Sequence, residues 1–163
     1  MLLLEEFNKC MDLAMRYLGY RARSAKEMSD HLRRKEMPED AIEAVIERLR
    51  EYRYIDDAQY ARRFVESRIK KGGARKIAYE LRQKGIDTEI IEQIVSEIDP
   101  DEALESAITY ARKSLRGENN QKAKQRAWAA LSRRGFSGDT IREAIGRALA
   151  EIEEDNEEDD GWE

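Results

Sequence analysis

The side chains with the most chemical potential are cations, and they fall into three groups along the chain. The first holds Arg23, Lys26, Arg33, Arg34 and Lys35. The second and densest holds Arg62, Arg63, Arg68, Lys70, Lys71, Arg75, Lys76, Arg82 and Lys84. The third holds Lys122, Lys124, Arg126, Arg133 and Arg134. Residues 68–76 of the second group span a link between two helices, and a helix N-terminus flanked by Lys and Arg suits phosphate or carboxylate groups. This pattern predicts contact with backbone phosphate charge or with an acidic protein surface.

Catalytic material is scarce. His31 is the one histidine and sits mid-helix beside Leu32, which reads as a structural or solvated position. Cys10 is the one cysteine and falls on an apolar stripe with Leu13, Ala14 and Tyr17, so it reads as core packing. Asp56-Asp57 lies at a helix start, where carboxylates cap backbone N–H groups, and capping is the better reading than metal binding. Gly72-Gly73 matches neither a phosphate loop nor a dinucleotide fingerprint. No nucleophile–base–orienter set emerges, so neither an enzyme, nor a metal site, nor a cofactor is expected. Tyr60, Phe64 and Tyr79 fall mainly on core positions, which argues against a base-stacking platform, and Trp128 reads as a core or inter-helix contact. No helix has the look of a sequence-reading recognition helix.

These side chains are carried by a repeat of about fifty residues. Leu32, Leu81 and Leu131 stand 49 and 50 residues apart, within the similar runs 32–37, 81–86 and 131–136. Ten residues after each leucine comes Ile42, Ile91 or Ile141. Apolar residues then recur at +3, +4 and +7: Val45, Ile46 and Leu49; Ile94, Val95 and Ile98; Ala144, Ile145 and Ala148. This spacing puts them on one helix face. Leu13-Ala14, Tyr60-Ala61 and Tyr110-Ala111 seed another amphipathic helix in each unit. The predicted fold is all-α: three tandem three-helix repeats over 1–53, 54–98 and 99–150, forming an elongated, curved array.

Local signals agree with this register. Ser24-Ala25-Lys26-Glu27 is a capping box. Asp99-Pro100-Asp101-Glu102 joins an N-cap Asp, a Pro at N1 and a Glu at N3. Gly85 and Gly135 mark left-handed helix stops, with Ile86 and Phe136 as the accompanying apolar contacts. Glu36 replaces the glycine in the first repeat, which predicts a turn built differently there. No stretch has period-two alternation, so no sheet is expected.

Of 163 residues, 40% are hydrophobic and 40% charged, and the net charge is −5. Residues 151–163 hold nine acids and no base, leaving 30 basic against 26 acidic residues in 1–150. Net charge then alternates: +5 over 16–35, −5 over 36–58, +7 over 62–84, −8 over 85–111 and +7 over 112–134. The alternation suggests a basic stripe built to meet something anionic. The acidic segment 151–163, with Trp162, is expected to be disordered. It would act either as a salt-sensitive competitor for an anionic partner or as a solubilising segment. No apolar run approaches the ~20 residues of a membrane span, the first residues do not read as a signal peptide, and one Cys fits a reducing cytosol.

The stretch from Tyr54 to Arg68, continued through Gly73 to Ile77 and Glu80 to Ile86, resembles the bacterial RecX regulatory proteins. So do residues 21–28 and 133–136, and the likeness runs over about 10–149. Arg53 departs from the family's usual glycine, and Met28 replaces a common leucine. The resemblance implies three tandem three-helix repeats. It further implies a monomeric cytoplasmic regulator that binds RecA recombinase filaments on single-stranded DNA. Such a regulator lowers ATP hydrolysis, strand exchange and co-protease activity by lying in the filament groove or blocking its growth. Single- or double-stranded DNA is a second anionic partner, no membrane is involved, and a place in DNA repair, recombination and the SOS response follows. The alternative is a helical nucleic-acid binding module that acts through phosphate contacts without RecA.

Overall fold

The computed structural model describes residues 2–161. Among them are nine helices and no strand: α1 (Leu2–Leu18), α2 (Ala25–Arg34), α3 (Glu39–Glu51), α4 (Asp57–Arg68), α5 (Ala74–Gln83), α6 (Thr88–Ser96), α7 (Pro100–Leu115), α8 (Gln121–Arg133) and α9 (Gly138–Asp160). The period-3.6 stripes are the buried ones. Leu32, Leu81 and Leu131 are wholly buried, as are the small residues Ala14, Ala61 and Ala111 on the first helix of each trio. An alanine at that point lets two helix backbones approach closely.

The chain forms two compact units, Met1–Arg63 with Leu81–Ile94, and Phe64–Glu80 with Val95–Glu163. The core of the first gathers Cys10 and Ala14 of α1, Met28 and Leu32 of α2, and Ile42, Val45 and Leu49 of α3. The core of the second gathers Ala107, Ala111 and Leu115 of α7, Ala123, Ala127 and Leu131 of α8, and Ile141, Ala144 and Ala148 of α9.

The predicted caps form. Ser24 Oγ accepts from Glu27 N–H, and the Glu27 carboxylate reaches back to Ser24 N–H. Asp99 caps α7 with Pro100 at its first turn. Asp56 caps its own helix through Gln59 N–H at 3.1 Å. Its neighbour Asp57 does something the local sequence does not show, accepting at 2.9 Å from Ala25 N–H at the start of α2.

Each unit also contains one join between a helix start and a later turn, made by a side-chain hydroxyl in the first unit and by backbone N–H groups in the second. In the first, the α5–α6 turn lies on the start of α2: Ser24 Oγ–H donates to Lys84 C=O at 2.7 Å, and Gly85 lies against the Lys26 side chain. In the second, the α8–α9 turn lies on the start of α5: Gly73 N–H donates to Arg134 C=O at 2.7 Å and Arg75 N–H to Gly135 C=O at 3.2 Å. Gly85 and Gly135 hold φ of 75° and 86°, and a Cβ on either would collide with the facing chain. The turn at Glu36 is not built differently after all. It adopts φ 60°, and Met37 N–H bonds to Leu32 C=O as Ile86 and Phe136 bond to Leu81 and Leu131. Glu36 is exposed, so its side chain is sterically tolerated where that of residue 85 or 135 would not be.

Disorder was expected from residue 151, but helix α9 continues to Asp160. Ile152 packs on the second core, Glu151 pairs with Arg112 at 2.8 Å, and Asn119 donates to Glu153 at 3.2 Å, which extends the helix past Ala150. Trp162 and Glu163 lie outside the described residues.

The join makes a prediction about two left-handed glycines. Gly117 also has a positive φ, yet a Cβ there would meet nothing. Gly117→Ala is expected to lower urea stability by about 1 kcal/mol, the conformational cost alone. Gly135→Ala adds overpacking against Lys76 and should cost about 1–3 kcal/mol more; equal losses would show the close approach to be unimportant.

Candidate functional site

The expected anion site at the start of α5 is not open. Two of its N–H groups are taken by Arg134 and Gly135 carbonyls. The same join nevertheless brings Lys76, on the first turn of α5, beside Arg133 and Arg134 at the end of α8. There they line an open groove of about 570 Å³ with Lys113 and Arg116, from the end of α7, and Arg126. No carboxylate is among its lining residues; Glu118, outside the lining, lies 3.9 Å from Arg126. Six cations around one concavity repel one another and focus a positive potential that an anion relieves.

Several of these cations are fixed by the fold. The Arg126 Nε donates to Ser114 C=O at 2.7 Å and its Nη2 to Leu115 C=O at 3.3 Å, so it closes the C-terminus of α7. The Arg134 guanidinium lies 3.7 Å from the Tyr110 ring centroid and donates to Lys71 C=O at 3.1 Å. Lys113 Nζ lies 5.6 Å from the same ring. Stacking on Tyr110 holds a planar cation in place without neutralising it. Arg116 stands at φ 55°, the left-handed stop of α7. Lys113, Arg116 and Tyr110 are additions to the residues expected from sequence. The two cations belong to a recognised basic segment, but only the fold shows that they face Lys76.

The other predicted residues are distributed as follows. In the second unit, Arg68, Lys71 and Lys76 border a smaller cleft with Glu80, which lies 3.8 Å from Arg68. Lys70, Arg75 and Lys122 are exposed beyond the groove lining, and Lys124 borders a separate cleft. In the first unit, Arg34, Lys35, Arg62, Arg63 and Arg82 are exposed. Arg33 pairs with Glu39 at 2.6 Å and with Asp30. The stem of Lys26 supports Gly85. Arg23 is folded over the Tyr17 ring at 3.7 Å, with its side chain only 10% exposed, and serves the interior.

Glu27 gathers the cations of the first unit: Arg21 at 2.9 Å, Arg23 at 3.9 Å and Lys84 at 4.0 Å. Burial opposes its ionisation, but hydrogen bonds from Tyr60 and Ser24, with Arg21 and Lys84 nearby, hold its carboxyl below the ordinary range. His31 stacks on Tyr17 with centroids 3.8 Å apart, and burial, then Lys35, Arg34 and Arg23, lower its pKa. Burial pushes the Cys10 thiol up, as befits a packing residue. No group of three or more His, Cys, Asp or Glu side chains suited to a metal ion occurs among the described residues, and no helix there is long and apolar enough to cross a membrane. Tyr79 is exposed because it lies off the Ile77–Leu81 stripe.

Tandem trios of short helices, joined at helix starts and turns and carrying a cationic groove, define a helical-repeat protein. The first, second and third three-helix domains of RecX match residues 10–49, 56–94 and 99–145. The Regulatory protein RecX of Chlorobium phaeobacteroides is 40% identical over 139 residues, covering 84% of this chain and 91% of that protein. The Bacillus subtilis protein of the same name is 34% identical over 160 residues, and the Bacillus pumilus one 38% over 151. The chain spans 57% and 61% of the length of the Bacillus pumilus and Bacillus subtilis relatives, whose matches cover 90% and 95% of this chain. The crystal structure of RecX from Lactobacillus salivarius superposes with a TM-score of 0.84 at 27% identity, covering 90% of this chain and 99% of that one. The chain belongs to the RecX family of regulatory proteins.

Acid titration should separate the two ionisable groups of the first unit. A lowered His31 pKa means the unfolded chain takes up the proton first, so stability begins to fall as pH drops through about 6.5. The contribution of Glu27 is present above the ordinary carboxylate range and is lost as pH falls through its lowered folded value. Glu27→Gln should cost about 1–3 kcal/mol at neutral pH. The gap between the variant and the parent protein should close as pH falls through that lowered value; a gap independent of pH would contradict the network.

Proposed function

We propose that this chain regulates RecA recombinase filaments on single-stranded DNA, in the cytoplasm and without catalysing a reaction. Family membership supports the reading, and the groove of six cations free of lining carboxylates is the observation that carries it. Its cations meet acidic filament surface or DNA phosphate. Differential affinity for one state of the filament is sufficient to shift the assembly equilibrium, so inhibition of ATPase, recombinase and co-protease activity needs no active site. Binding along the filament groove and blocking of filament growth are two ways of producing the same shift. Repeats that leave their cationic side chains exposed after satisfying their own helix ends suit either.

The test is RecA's ATPase on single-stranded DNA with the protein added below stoichiometry. Inhibition is expected. The variant Lys113→Glu/Arg116→Glu/Arg133→Glu, which spares the α7-closing Arg126 and the stacked Arg134, should need at least about tenfold more protein for the same effect while keeping its helical content. Failure of the parent protein to inhibit at any ratio would remove the reading. Tight, steeply salt-dependent binding to bare DNA with no effect on RecA would instead favour the nucleic-acid module.

A further inference from the structure

Trp128 is the largest side chain that the repeat pattern misplaces. Its counterparts by register are Ser29 and Ala78, and its sequence position reads as a core or inter-helix contact. In the second unit it is 40% exposed and lines a cleft between α8 and α9, of about 280 Å³. Gln121, Lys124, Gln125 and Trp128 recur at i, i+3, i+4 and i+7, one continuous face of α8, and Arg142 and Ile145 of α9 form the opposite wall. The lining is largely apolar, with two cations, two amides and no carboxylate. Asp139 lies beside Arg142 at 3.2 Å, but that pair is an exposed i,i+3 contact that an incoming anion can replace.

We propose that this cleft binds a nucleobase together with its phosphate. The indole supplies a flat π face for the base, and Ile145 closes the apolar side. The Gln121 and Gln125 amides offer both donors and acceptors to a base edge. Lys124 and Arg142 line the same cleft and would draw a phosphate attached to that base. A duplex hides its base faces and cannot use the indole, so the cleft selects unpaired bases. The cleft is distinct from the six-cation groove, whose lining shares no residue with it, and it does not depend on RecA. The ligand is a base in a single strand or a free nucleotide, with the same chemistry in either case.

The test is Trp128 fluorescence in a Trp162→Phe protein, titrated with a thymidine oligonucleotide, a blunt duplex of equal length and thymidine 5′-monophosphate. Quenching by the oligonucleotide but not the duplex is expected. Quenching at similar concentrations of monophosphate would identify a free nucleotide as the ligand; a need for far more monophosphate would identify a strand. Trp128→Ala should weaken single-strand binding at least about fivefold with an unchanged salt slope, because stacking releases no counterions. Trp128→Phe should retain most of the affinity, which separates stacking from a folding defect. Lys124→Ala should instead lower the slope by about 0.7. Equal affinity of the Trp128→Ala and parent proteins, equal quenching by strand and duplex, or quenching by an apolar peptide and by neither nucleotide probe would overturn the assignment.

Discussion

A carbonyl at the second turn of one trio satisfies a donor at the start of the second helix in the trio before it, and the rest of the arrangement depends on this contact. Helix starts leave N–H groups without partners, and burying them unpaired is costly. Here Lys84 C=O takes the Ser24 hydroxyl, and Arg134 and Gly135 carbonyls take the N–H groups of Gly73 and Arg75. Backbones that close exclude a Cβ at Gly73 and Gly135, and at Gly85 a Cβ would meet the Lys26 side chain. In the corresponding turn of the first trio, Glu36 holds the same left-handed geometry with its side chain in solvent. One repeated contact thus accounts for both the glycines and the exception. It also accounts for the groove, since Lys76 reaches Arg133 and Arg134 only because the start of α5 is fastened to the end of α8.

Much of this was legible in the residues. The fifty-residue spacing of Leu32, Leu81 and Leu131, the following isoleucines and the caps at Ser24 and Asp99 place nine helices and most of both cores. These are local or periodic signals, and helices obey them. What the residues withheld depends on tertiary contact. Asp57 has the sequence of a cap for its own helix, and only folding shows it serving Ala25. Trp128 sits on a helix between the buried Ala127 and Leu131, and only the folded chain shows it 40% exposed. Residues 151–160 are acidic enough to read as unstructured, yet contacts with Arg112, Asn119 and the second core continue the helix past Ala150.

The candidate site was legible as charge but not as geometry. Nineteen predicted cations reduce to four in the groove lining, Lys76, Arg126, Arg133 and Arg134, and the fold adds Lys113 and Arg116. Others have internal work: Arg23 lies over Tyr17, Arg33 pairs with Glu39, and Lys26 supports a glycine turn. Charge runs therefore overstate a binding surface, because a helical repeat uses arginine both to close helix ends and to face solvent. Long flexible side chains of one sign look alike in a sequence and separate only when their acceptors are located.

The most direct measurement of the central contact is native-state hydrogen exchange at the Gly73 amide. An N–H at a free helix start exchanges almost as fast as in an unfolded chain. Bonded to Arg134 C=O, it should exchange as slowly as the interior amides of α8, and Gly135→Ala should release it. Fast exchange in the parent protein would contradict the join, and with it the placement of Lys76 in the groove.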